Sequence, residues 1–185
     1  MKNRLLRFDR TERIVHWVNA TGFIVLILTG ASLKVAGLST VVANRHTVKE
    51  IHVWTGLLLP IPLLLALLLP AGRMLRADFK RFNRWSADDR RWWRKQARSR
   101  VQLGKFNPGQ KLNAVFIGAA IVVQLMTGAI MYWFKPFPDS WRTGATFVHD
   151  STWLVLIIVI IGHIMFALRD PDSMRSMLKG WVPQS

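Results

Sequence analysis

Two histidines, His149 and His163, stand 14 residues apart in "FVHDSTWLVLIIVIIGHIMF", an apolar run of helix length that holds no lysine, arginine or glutamate. A lone imidazole in hydrocarbon is costly unless a neighbouring helix hydrogen-bonds it or it serves as a ligand. Fourteen helical residues turn through roughly 1400°, four turns less about 40°, so both rings share one face about 21 Å apart along the axis. His16 in "ERIVHWVNA" and His52 in "KEIHVWTG" also lie in apolar runs, and His46 lies just ahead of the second of them. Neutral imidazole is a good ligand for iron, so four such rings point to metal or cofactor binding rather than acid–base catalysis alone.

The elements that must carry these rings are membrane-length. The chain has 185 residues, 51% of them hydrophobic, with a formal net charge of +16. That combination suits a membrane protein with basic surfaces better than a soluble core. Four apolar stretches, at about 14–36, 48–70, 112–134 and 146–168, are each long enough to cross a hydrocarbon core of about 30 Å. The expectation is an all-α, integral membrane four-helix bundle, one domain over 1–185, with no internal repeat. Pro60 and Pro62 should kink the second helix. The N-terminal apolar run is too long for a signal-peptide core and lacks a small-residue cleavage site, so it is read as the first spanning helix. With no cysteine in the chain, disulfides, thiolate-bound metal, iron–sulfur clusters and thioether-linked haem all lack a ligand.

Charge placement sets the orientation. Lys2, Arg4, Arg7, Arg10 and Arg13 precede the first helix, a basic loop spans 72–105, and Arg169, Arg175 and Lys179 follow the fourth helix. The two other loops are nearly bare, so both termini and the basic loop are expected in the cytoplasm. Trp85, Trp92 and Trp93 interleave with arginines in that loop, which a single-strand nucleic-acid binder also does. Arginine against anionic membrane lipid and interfacial tryptophan account for the same composition, so no nucleic acid is expected. Asp78, Asp88 and Asp89 fit a pair of interfacial amphipathic helices.

Depth then pairs the histidines. His16 and His163 fall at the inner depth, His52 and His149 at the outer one, so each pair can clamp a planar cofactor between helices. Two bis-histidine haems satisfy all four ligands, and without a Cys-x-x-Cys-His site they are b-type. His46 has no partner at its depth and receives no ligand role. Gly22, Gly30, Gly56 and Gly128 would admit either a porphyrin or close helix packing. Met126, Met131 and Met165 read as apolar filler.

Four stretches, "RFDRTERIVHWVNATGFIVLILTG", "IHVWTGLLL", "GKFNPGQKLNAVFIGAAIVVQLMTGAIMYW" and "VHDSTWLVLIIVIIGHIMFALRDPDSMRSMLKGWV", together cover all four helices. Through them the chain resembles the membrane cytochrome b, or gamma, subunit of respiratory formate dehydrogenases, within a wider bacterial di-haem cytochrome b561-like group. The resemblance places haem ligands at His16, His52, His149 and His163. It implies a bacterial inner-membrane subunit that takes electrons from an iron–sulfur (beta) subunit, fed by a molybdenum or tungsten catalytic (alpha) subunit. Electrons would pass from the outer to the inner haem and on to a quinone, ubiquinone or menaquinone, at the cytoplasmic side. It also implies a quinone pocket at the start of helix three, with Gln110 and Asn113 and, more weakly, Asn107 and Lys111.

Taken alone, Asn107, Gln110 and Asn113 also suit a helix cap. The outer loop "WFKPFPDSWRTGATFVHD" should face the electron donor, with Trp141 as an interfacial anchor. The short stretch after helix four departs from family members with a longer tail, which bears on docking. Alternative partners are a hydrogenase, a thiosulfate reductase or another molybdoenzyme. A free-standing cytochrome b561 that oxidises superoxide, and a haem-free transporter or anchor, are the other readings.

Overall fold

The computed structural model describes residues 4–39, 44–94 and 104–183; residues 95–103 of the basic loop lie outside the described residues. In chain order the elements are β1 (Arg4–Leu6), α1 (Arg10–Lys34), α2 (Ala36–Ser39), α3 (Arg45–Leu58), α4 (Ile61–Leu68), α5 (Arg73–Phe82), α6 (Ala87–Trp92), α7 (Pro108–Tyr132), α8 (Asp139–Leu168), α9 (Pro171–Lys179) and β2 (Trp181–Pro183). Four segments are long and apolar enough to cross a membrane: α1, α3 with α4, α7 and α8, of 25, 24, 25 and 30 residues. Their large apolar side chains, including Ile24, Leu28, Leu64, Val122, Ile158 and Phe166, are exposed. An apolar surface on that scale suits a hydrocarbon solvent, and the chain is a multi-pass membrane protein.

The expected kink in the second span is present: α3 stops at Leu58 and α4 restarts at Ile61, around Pro60 and Pro62. A proline ring has no N–H to donate and clashes with the preceding turn, so the helical ladder breaks there. The other spans start earlier than hydropathy indicates, by four residues in α1 and α7 and seven in α8, because polar first turns are still helical. Reciprocal caps fix two of those starts. In "DRTE" the Glu12 N–H donates to Asp9 Oδ1 and the Asp9 N–H to Glu12 Oε2, both at 2.8 Å. In "NPGQ" the Gln110 N–H donates to Asn107 Oδ1 at 2.9 Å and the Asn107 N–H to Gln110 Oε1 at 3.0 Å. Each box satisfies two amides that a helix end leaves without partners.

Contacts group the chain into two compact units. One comprises Ile14–Leu65 and Ala120–Ile161. Within it an ion pair joins Lys34 of α1 to Asp150 of α8, and the Tyr132 hydroxyl donates to Glu50 at 3.1 Å. Arg45 donates to the Leu33 carbonyl at 2.9 Å, covering an acceptor that the end of α1 leaves over.

The other unit comprises Met1–Arg13, Ala66–Ala119 and Gly162–Ser185. It contains a feature that an all-helical expectation missed: β1 pairs antiparallel with β2, Leu5 opposite Val182. Three-residue strands are too short to register as a hydropathy pattern. Gly180 makes the return possible, since it ends α9 at φ 88° and a Cβ there would sit 2.8 Å from the Phe8 carbonyl oxygen.

Two acids of the basic loop are buried, whereas Asp88 between them in sequence is part-exposed. Asp78 and Asp89 are 2% and 3% exposed. Lys105 reaches Glu12 at 2.7 Å and Asp78 at 2.5 Å, packed over the Phe8 ring at 4.4 Å. Lys111 reaches Asp89 at 2.8 Å and the Arg84 carbonyl at 2.9 Å, while Asp89 closes a capping box with Ser86 at the start of α6.

Burial on its own would raise the Asp89 carboxyl, but Lys111 and the Ser86 N–H and hydroxyl hold it below the usual carboxylate range. A depressed native pKa stabilises the fold above the unfolded value of about 3.9, and that stabilisation is lost as pH falls through the native value. Asp89→Asn should therefore cost stability already at pH 7, by about 3 kcal/mol because Lys111 is left buried and unpaired. Thermal unfolding between pH 7 and pH 3 should then show a smaller further loss in the variant than in the parent.

Candidate functional site

His52 on α3 and His149 on α8 face each other within the first unit, ring centres 6.3 Å apart and planes inclined at 63°. Each ring is held from behind by a threonine of a third helix. Thr29 Oγ1 on α1 donates to the Val25 carbonyl at 2.7 Å and lies 2.9 Å from His52 Nδ1. Thr127 Oγ1 on α7 donates to the Val123 carbonyl at 2.7 Å and lies 2.9 Å from His149 Nδ1. A hydroxyl whose one proton goes to its helix carbonyl can accept from Nδ1, the tautomer that leaves the lone pair on Nε2.

The residue after each threonine is glycine. A Cβ on Gly30 would stand 3.3 Å from His52 Cε1, and one on Gly128 3.4 Å from His149 Cε1. These two glycines make room for the rings. Gly22 and Gly56 instead meet Leu59 and Leu26, which is helix packing. Thr29, Gly30, Thr127 and Gly128 thus form two matching Thr-Gly seats, and sequence reasoning missed the threonines. The signal was available, as "LTG" and "MTG", each placed one spanning segment ahead of its histidine.

Around the rings lies a cavity of about 110 Å³, walled by α1, α3, α7 and α8. Phe23, Leu26, Val53, Leu125 and Leu156 make it apolar, while Gln124, Tyr132 and Trp153 add polar edges. Gln124 Oε1 and Trp153 Nε1 are buried with no hydrogen-bond partner among the described residues. An apolar wall and a few convergent polar groups fit a cofactor site. A metal–imidazole bond is about 2 Å long, and each nitrogen lies roughly 1 Å from its ring centre. Two rings on one metal therefore stand about 6 Å apart, the separation seen here, so these residues fit a bis-histidine haem.

The other sequence candidates are placed as follows. His16 lies half-buried in α1 and His163 exposed in α8, in different compact units. Asn107 and Gln110 spend their side-chain oxygens on the α7 cap, leaving their amide N–H groups as donors. Lys111 is bound to Asp89 and Arg84, and its ammonium lies 5.5 Å from the Trp85 ring centre. Asn113 is half-buried one turn on. Met126 and Met165 are exposed, as is His46 in the first turn of α3. Trp141 is exposed and stacks on Phe137 with ring centres 6.1 Å apart.

The family described as prokaryotic cytochrome b561 matches residues 7–180. The formate dehydrogenase cytochrome b556 subunit of Haemophilus influenzae is 26% identical, over 97% of this chain and 77% of its own length. The Escherichia coli cytochrome b556(fdo) subunit of formate dehydrogenase is 27% identical, over 98% of this chain and 88% of its own length. The nitrate-inducible b556(Fdn) subunit of the same organism is 31% identical over 44% of this chain and 39% of its own.

Proposed function

The chain belongs to the prokaryotic cytochrome b561 family, and on that premise we propose that it is the di-haem b membrane subunit of a formate dehydrogenase complex. The observation that carries this reading is the facing pair His52 and His149, with Nδ1 of both rings held by threonine hydroxyls. When bound, haem supplies one-electron transfer.

His52 and His149 would hold an outer haem, and the apolar wall of α1, α3, α7 and α8 would keep water from it. His16 and His163, matched by depth in the sequence on helices that enter from opposite sides, would hold an inner haem. The names of the relatives point to formate as the source of electrons. An iron–sulfur subunit and a molybdenum or tungsten catalytic subunit would be its partners, at the outer loop around Trp141. Positive charge around α5 and α6 supports the bacterial inner membrane with both termini cytoplasmic.

Quinone is taken at the start of α7. There the amide N–H groups of Asn107, Gln110 and Asn113 can donate to a quinone carbonyl, and Lys111 holds positive charge nearby. Protons for the reduced quinone come from the cytoplasm while electrons come from outside, which makes turnover electrogenic.

The test is to purify the intact complex from membranes and reconstitute it in vesicles. Formate should reduce quinone and raise a membrane potential, and the largest co-purifying subunit should carry molybdenum or tungsten. A different catalytic partner, or quinone reduction with no change in potential, would contradict the proposal.

A further inference from the structure

We propose that Thr29 and Thr127 are positioning residues for the outer haem, each fixing its histidine as the Nδ1–H tautomer with Nε2 toward the iron. This rests on the di-haem reading above. The two seats are built alike on different helices, α1 for His52 and α7 for His149. In each, the hydroxyl gives its proton to the carbonyl four residues back at 2.7 Å and meets Nδ1 at 2.9 Å. In each, the next residue is a glycine whose missing Cβ leaves room for the same ring, at 3.3 and 3.4 Å.

A weak helix-capping or bending role for a mid-helix threonine requires only the carbonyl bond. The second contact, repeated on both sides of one cavity, is aimed at the ligand. An imidazole that donates its outer N–H is a more basic ligand through its other nitrogen. More basic axial ligands favour the ferric state, so the two threonines lower the reduction potential of the outer haem and leave the inner haem unaffected.

The experiment is a redox titration of the haem-loaded full chain, comparing the parent with Thr29→Val, Thr127→Val, Thr29→Ser and Thr127→Ser. Valine keeps the shape and removes the hydroxyl; serine keeps the hydroxyl. Each valine variant should move the outer haem's midpoint potential upward, or weaken that haem's binding by about 10- to 100-fold. The serine variants should titrate like the parent, and the inner haem should not move in any of them. Fully loaded valine variants that titrate like the parent, or serine variants that shift as far as valine, would overturn the proposal.

If the valine variants do not accumulate, Thr29→Ala and Thr127→Ala decide: each loaded alanine variant should also shift the outer midpoint upward, and one that titrates like the parent overturns the assignment. Failure of the di-haem reading looks different, since the parent itself would then lack two b-type haems.

Discussion

Replacing His149 with alanine should leave the chain with one haem b in place of two and cut donor-driven quinone reduction by more than about 100-fold. His149 is held by Thr127 at 2.9 Å and faces His52 across 6.3 Å, so its loss removes one side of a two-sided clamp. Groups that hydrogen-bond a metal-bound histidine are commonly worth about 10- to 100-fold in affinity, and removal of the ligand itself costs more. His52→Ala should give the same product from the other side. The inner haem should stay, and a reductant that reaches it directly should still reduce it. Haem content per chain and the reduced-minus-oxidised spectrum check this. Retention of both haems in either variant would show that the two rings are packing histidines.

His163→Ala should give the complementary result. The inner haem disappears, the outer one is still reduced by the donor, and quinone reduction stops because the electron has no exit. His16→Ala should match it. His149 and His163 stand about 21 Å apart along α8, so each haem's loss should be independent of the other. A chain in which His163→Ala and His149→Ala remove the same haem would show that the pairing by depth is wrong. Substituting Gln110 or Asn113 should leave both haems in place and lower only quinone reduction, which separates the pocket at α7 from the haem ligands.

Much of this was legible before any coordinates. Apolar length alone yields four spans, and the proline pair marks the break between α3 and α4. The 14-residue step on α8 puts His149 and His163 on one face, and His52 is found opposite His149.

What stayed hidden was polar and local. Hydropathy cuts the polar first turns from α1, α7 and α8, although capping boxes such as Asp9 with Glu12 hold them helical. Asp78 and Asp89 look like the polar side of surface helices, yet each is buried against a lysine more than 20 residues away in sequence. No spacing rule relates such partners. The threonines were missed for another reason: in an apolar helix a threonine usually bonds back to its own helix, and only the position of the facing ring reveals a second role. The β1–β2 pair depends on segments from opposite ends of the chain meeting at Gly180, which no local pattern announces.

The central claim is that this chain holds two bis-histidine b-type haems. Its most direct test is to purify the full chain from a haem-replete membrane, measure haem per chain by the pyridine haemochrome method, and record the oxidised electron paramagnetic resonance spectrum. The account predicts two extractable haems b per chain, both low-spin with two nitrogen ligands. A fully replete preparation with no b-type band, or with one haem only, would contradict it.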